Sequence, residues 1–183
     1  AGRTVAAGIC RKATGTMKMT SEQPVSTIHI MEGMTEMEVR QEQRVQFEGC
    51  AADSMTLHAE GGYPNEICGV LLGREIEGKR VIMNSMPVEN TFEADEQYHR
   101  FLITPKAMFT AEKLARRDRM DVLGVYHSHP NAPARPSPYD AEHAAWTSWT
   151  YVILSLQGGK VVDVKGWQLQ DDRAGFDEIE LSG

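Results

Sequence analysis

Two histidines one residue apart, His127 and His129 in V-Y-H-S-H-P, stand at the end of an apolar run and are the residues of this chain best placed to do chemistry. The run Val122, Leu123, Gly124, Val125, Tyr126 is short and β-branched enough to read as a buried strand. In a strand, residues i and i+2 point to one face, so the two imidazoles project side by side. Pro130 stops the strand, and Pro133, Pro136 and Pro138 keep the following stretch an irregular, stiffened loop. That loop delivers Ser137 and Asp140. Two imidazoles and one carboxylate make the set of ligands that a catalytic zinc site uses when it leaves a fourth position for water.

The spacing adds a second signal. Counting from His129, seven residues, Pro130 to Pro136, precede Ser137, and two, Pro138 and Tyr139, precede Asp140. In these positions the chain resembles the JAMM (MPN+) metalloprotease family, whose pattern is an upstream Glu followed by H-x-H-x7-S-x2-D. Glu66, in Y-P-N-E-I-C-G-V-L-L-G just before the apolar run Ile67 to Leu72, is similar in placement to the family's Glu. The resemblance covers roughly residues 45 to 182. Its compact spacing resembles the bacterial branch that acts on ubiquitin-like sulfur carriers more than the eukaryotic deubiquitinases.

The resemblance implies an MPN/JAB fold of the cytidine-deaminase-like kind and one zinc ion held by His127, His129 and Asp140. It also implies Glu66 as general acid and base and Ser137 as a hydrogen-bond donor to the developing oxyanion. The reaction implied is hydrolysis of a peptide or isopeptide amide by metal-activated water, without a covalent acyl-enzyme. The partner implied is a ubiquitin-like or sulfur-carrier protein of the ThiS/MoaD type, with a Gly-rich C-terminal tail lying extended across the site.

Each residue also has a plainer reading. A single Glu after a turn fits a solvated carboxylate or a cap. Ser137 can cap the helix that follows it, with Asp140 three residues on in a capping-box pattern, and a hydroxyl can both accept and donate. Cys68 with either histidine suggests a cysteine hydrolase, a reading that ranks low because Cys68 lies inside an apolar strand, where cysteine is usually an inert small hydrophobe. His143 and Glu142 read as surface residues or supports of the ligands. His29, His58 and His99 have no ligand-like company, and Trp146, Trp149 and Trp167 read as core or rim aromatics. Two other functions stay in view: a deubiquitinase-like isopeptidase on ubiquitin-type conjugates, and a metal-free MPN scaffold that only binds partners.

The elements that must position these residues follow from pattern and turn chemistry. Apolar residues between Gln46 and Glu60 recur at helical spacing, closed by Gly61-Gly62. Tyr63-Pro64-Asn65 is a turn into Glu66, and Ile67 to Leu72 is a core strand that Gly73 begins to end. Glu77-Gly78-Lys79 turns a hairpin into a return strand from Arg80 to Met86. Val88 to Tyr98 is polar and acidic, an exposed loop that is the candidate wall of the substrate groove. Phe101 to Thr104 reads as a short strand. Thr104-Pro105 opens a helix that turns Met108, Phe109, Ala111, Leu114 and Ala115 inward. Pro138 to Trp146 forms a short helix with Asp140 in its first turn, and Tyr151 to Leu156, Val161 to Leu169 and Phe176 to Leu181 are strands. The sum is an α/β (α+β) domain, a curved sheet of mixed direction flanked by helices.

At 183 residues, one compact domain is the expectation, over residues 37 to 183. Residues 1 to 36 lack a hydrophobic period and read as disordered, with 1 to 16 like a leader or a vector-derived remnant. Residues 37 to 45 suggest an edge strand or the approach to a helix. The net charge of −7 argues against a nucleic-acid partner, which needs a basic surface. No apolar run reaches the roughly 18 residues of a membrane span. Cys10, Cys50 and Cys68 are odd in number and widely spaced, as expected of free thiols in a reducing, cytoplasmic setting.

Overall fold

A computed structural model describes residues 44–183. The expectations for residues 1 to 36, and for 37 to 43, lie outside the described residues. The elements run β1 (Val45–Phe47), α1 (Ala51–Gly62), β2 (Cys68–Ile76), β3 (Lys79–Val88), α2 (Pro105–Arg117), β4 (Asp121–Pro130), α3 (Pro138–His143), β5 (Thr150–Gln157), β6 (Lys160–Leu169), β7 (Phe176–Ile179) and β8 (Leu181–Ser182). The strands form one sheet in the order β7-β6-β5-β4-β2-β3-β1-β8. The histidine strand β4 is central, antiparallel to β2 and parallel to β5. Strands β7 and β8 are consecutive in the chain yet lie at opposite ends of this order, and the Val45 amide donates to the Glu180 carbonyl at 3.0 Å. The sheet is therefore curled until its two edges meet.

Alternation along the strands decides which helix covers which face. In β2, Leu71 packs with Ala51, Met55 and Ala59 of α1, while Val70 and Leu72 pack with Ala111 and Ala115 of α2. In β4, Tyr126 joins the α1 side and Val125 the other, which Trp167, Tyr151, Ala134 and Ala144 fill. Tyr126 is wholly buried, and a methyl group on Gly69 would collide with its ring, so the strand needs glycine there. Losing a buried side chain of that size costs about 3–5 kcal/mol. The hairpin between β2 and β3 turns on Glu77 and Gly78 at φ 52° and 76°, the two positive values of a type I′ turn.

Three expectations change. The helical pattern from Gln46 resolves into β1, which lies parallel to β3, and a helix that begins only at Ala51; three residues of ladder outcompete a helix start that has no side-chain cap at Cys50. Phe101 to Thr104 forms no strand, because the Leu102 amide bonds the Asn90 side chain and the Phe101 ring stacks on His127, leaving no sheet partner for this backbone. Phe109 faces outward at 60% exposure, since the smaller Ala111 and Ala115 make the contact that lets α2 approach the sheet. Thr104 caps α2 as expected, its hydroxyl accepting from the Ala107 amide at 3.2 Å. Among the described residues, no helix is long and apolar enough to cross a membrane.

Candidate metal centre and active site

His127 and His129 leave β4 on the face opposite α1, His127 opposite Cys68, the first residue of β2, and His129 beyond it. Both are buried, 2% and 7% exposed. Their Nε2 atoms lie 3.0 Å apart. The Asp140 carboxylate meets them at 3.4 Å from His127 Nε2 and 3.5 Å from His129 Nε2. A third strand residue, Ser128, points to the other face, and its hydroxyl accepts from the Ile67 amide at 3.0 Å while its own amide donates to the Ile67 carbonyl at 3.1 Å. That pair of bonds extends the β2–β4 ladder by one step and delivers Glu66 to the mouth of the site.

Asp140 is held by its own helix. The Ser137 amide donates to Asp140 Oδ2 at 2.7 Å and the Ser137 hydroxyl accepts from the Asp140 amide at 3.2 Å, a capping box on α3. The proline loop before it is pinned by the sheet beneath. Three successive carbonyls accept from three strands: Ala132 from the Ser155 hydroxyl at 2.6 Å, Pro133 from His129 Nδ1 at 2.8 Å, and Ala134 from Trp167 Nε1 at 3.0 Å. The bond to Pro133 puts the His129 proton on Nδ1 and leaves the Nε2 lone pair facing His127.

This arrangement fits a cation. Two ring nitrogens and a carboxylate crowd together: the Pro133 bond leaves His129 Nε2 an acceptor, ionised Asp140 is an acceptor, and His127 Nδ1 is buried without a hydrogen-bond partner. For metal–nitrogen distances of about 2.0–2.1 Å, tetrahedral ligands stand about 3.3–3.4 Å apart, close to the separations seen here. The three offered atoms lie within 4.8 Å of one another. Protonation equilibria reflect the same demand. Burial lowers the His127 pKa. Burial opposes charge on His129 too, but the hydrogen bonds to Asp140 and Pro133 and the charges of Glu66 and Asp140 outweigh it and raise its pKa. Asp140, although buried, is held well below the usual carboxylate range by both histidines and Ser137.

Glu66 is 7% exposed, and burial pushes its carboxyl up to about 8. It lines a cleft of about 670 Å³ together with His99, His129 and the loop from Ala132 to Ser137. The structure thus brings together all five residues picked out in the sequence: His127, His129, Ser137, Asp140 and Glu66. Cys68 pairs with His127 in the ladder, but it is buried beside Glu66, its thiol is pushed up to about 12, and its Sγ reaches only the Val88 carbonyl at 3.8 Å.

A family model described as prokaryotic homologs of the JAB domain matches residues 50–170. The chain belongs to this family. The resemblance to the JAMM/MPN family is borne out by it. Among curated relatives, a desampylase of Haloferax volcanii is 33% identical over 112 residues, 59% of this chain and 78% of that protein. A probable TtuB-protein conjugate cleaving protease of Thermus thermophilus is 37% identical over 95 residues, 52% of this chain and 59% of that protein. A solution structure of a Desulfitobacterium hafniense protein superposes with a TM-score of 0.67 at 33% identity, covering 76% of this chain and 92% of the other. A Salinibacter ruber protein gives 0.61 at 32%, covering 75% and 90%.

Within this JAB domain the sequence missed several contributors. His99, taken to have no relevant company, lines the cleft beside Glu66 and His129. Ser155 and Trp167, on the consecutive strands β5 and β6, hold the loop backbone, and only sheet register could reveal that. His58 lies on the far face, where burial lowers its pKa and its Nδ1 bonds the Tyr126 hydroxyl at 3.0 Å. His143 is exposed and stacks on Tyr139 at 3.9 Å. Trp146 stacks on Trp149 at 3.9 Å and is 45% exposed, a rim position as expected.

Proposed function

We propose that the protein is a zinc-dependent metallopeptidase of the isopeptidase kind, hydrolysing an amide bond at the C-terminal tail of a ubiquitin-like protein of the ThiS/MoaD sulfur-carrier class. The observation that carries this reading is the buried cluster of two Nε2 atoms and one carboxylate beside a buried Glu66. The relatives named desampylase and conjugate cleaving protease support the substrate class.

In this reading His127, His129 and Asp140 hold one zinc ion. When bound, zinc supplies Lewis acidity, which polarises the amide carbonyl and lowers the pKa of a water from about 16 to about 7. The remaining chemistry falls to the chain itself. Glu66 takes the proton of the attacking water and passes it to the leaving amine; a carboxyl lifted toward neutrality by burial suits transfer in both directions. Ser137 Oγ already accepts from the Asp140 amide, so its hydroxyl proton is free to donate to the oxyanion. An extended tail in the cleft is held through its backbone regardless of side chains, and small residues at its end bring the scissile amide close. Residues 88 to 98, the wall expected from the sequence, do not line this cleft; its walls are His99, the loop from Ala132 to Ser137, and Asp163 and Lys165.

The test is to incubate the zinc-loaded protein with carrier-type and ubiquitin-type proteins, each extended at the C-terminus or joined to a lysine, and to locate cleavage by mass spectrometry. Cleavage directly after the carrier's terminal glycine is expected. Preference for ubiquitin conjugates would support the deubiquitinase-like alternative. No cleavage of any panel member, with no zinc bound, would support the scaffold.

A further inference from the structure

Glu66 lies outside the regular ladder of β2, which begins at Cys68, so something else must fix its backbone. The loop between β3 and α2 does so. The Glu66 amide donates to the Gln97 carbonyl at 2.7 Å, and the Glu66 carbonyl accepts from Asn90 Nδ2 at 2.9 Å. Gln97 is itself held by its side-chain amide, which donates to the Asn90 and Phe92 carbonyls at 3.1 and 2.9 Å. Asn90 Nδ2 also donates to the Arg100 carbonyl at 2.8 Å, and its Oδ1 accepts from the Phe92 and Leu102 amides at 3.0 and 3.2 Å. Two donors and two acceptor sites exhaust what an Asn side chain can offer.

The other side of this loop reaches the helix that carries Asp140. The Phe92 ring meets Tyr139 edge-on at 6.1 Å, and the Arg100 guanidinium sits 4.2 Å over the same ring. Tyr139 is the residue before Asp140. One segment without helix or strand therefore spans from the Glu66 backbone to α3, and a single side chain gathers it.

We propose that Asn90 is a positioning residue for Glu66: it sets where that carboxylate stands relative to the His127, His129 and Asp140 cluster, and thereby controls turnover without touching substrate. This rests on the reading of Glu66 as the proton carrier. A side chain of Asp or Ser cannot replace both donors, because Asp is acceptor-only when ionised and Ser has one hydrogen to give. Misplacing a reacting group by about 1 Å costs on the order of 100-fold in rate.

The experiment is a cycle of Asn90→Ala and Glu66→Gln, singly and together, with single-turnover rates, KM, zinc content and Tm measured for each. Asn90→Ala is expected to lower kcat about 10- to 100-fold with KM and zinc content close to the parent's, and to cost less than about threefold when added to Glu66→Gln, since its effect runs through that carboxylate. Asn90→Asp, close in shape and able to keep both accepted bonds, provides the same readout should the alanine variant fold poorly. A folded, zinc-loaded Asn90 variant within threefold of the parent overturns the proposal. So does an equal loss in the presence and absence of the Glu66 carboxylate, which would mark a general role in the fold. Full activity of Glu66→Gln alone would instead overturn the underlying reading of Glu66, and the two failures are told apart by that one variant.

Discussion

The Ser128 hydroxyl, between the two histidines, accepts the Ile67 amide at 3.0 Å, so the strand that carries both imidazoles also fixes the backbone beside Glu66. Ser128→Ala removes the side chain that, among the described residues, partners that buried amide. A buried donor left without a partner costs about 1–3 kcal/mol. At this chain length each kcal/mol moves Tm by about 2–4 °C, so a fall of about 2–12 °C is expected by calorimetry. An unchanged Tm would show that the hydroxyl does not secure this junction.

The metal-free protein should respond to pH through Glu66. Burial raises this carboxyl from 4.5 to about 8, so the folded chain binds the proton more tightly than the unfolded chain. Its stabilising contribution is complete below about pH 4.5 and is lost as pH rises to about 8, by at most about 5 kcal/mol. Glu66→Gln, which cannot ionise, should therefore gain stability relative to the parent as pH rises across that window in the presence of a chelator. A difference between the two proteins that does not vary with pH would contradict the burial of this carboxyl.

Metal removal should destabilise the fold as well as stop the chemistry. A ligand that binds only the folded state at about 100 times its Kd adds about 2.7 kcal/mol. Chelation should lower the parent's Tm by several degrees and leave that of His129→Ala unmoved, because one of the three ligand atoms is gone. Equal zinc content in parent and His129→Ala would break the ligand assignment.

Cys68 should be inert. Its thiol is buried and pushed up to about 12, so almost no thiolate exists at neutral pH. Cys68→Ala should keep more than about half of the parent's turnover, and iodoacetamide should leave Cys68 unlabelled in the folded protein at about pH 8. Loss of turnover at normal zinc content would restore the cysteine-hydrolase reading.

The metal-ligand motif was legible because its geometry is local. A strand period of two places His127 and His129 on one face, and the capping box ties Ser137 to Asp140 within one turn. Strand positions from β2 onward followed from β-branched runs and the Glu77-Gly78 turn. What stayed hidden depends on register between distant segments. Ser155 and Trp167 have nothing in their own neighbourhoods that points to the loop carbonyls they hold. The loop from residue 88 looked like a solvated acidic face, and its Asn90 and Gln97 act through backbone groups, which leave no pattern of side-chain types. Val45 to Phe47 carried a helical spacing that a short parallel pairing with β3 overrode.

The most direct test measures zinc content and turnover together in Glu66→Gln, on the conjugate that the parent cleaves best. With His127, His129 and Asp140 intact, zinc should remain near one ion per chain while turnover falls by about 100-fold or more. Turnover near that of the parent at full zinc content would place the proton transfer elsewhere and contradict the account.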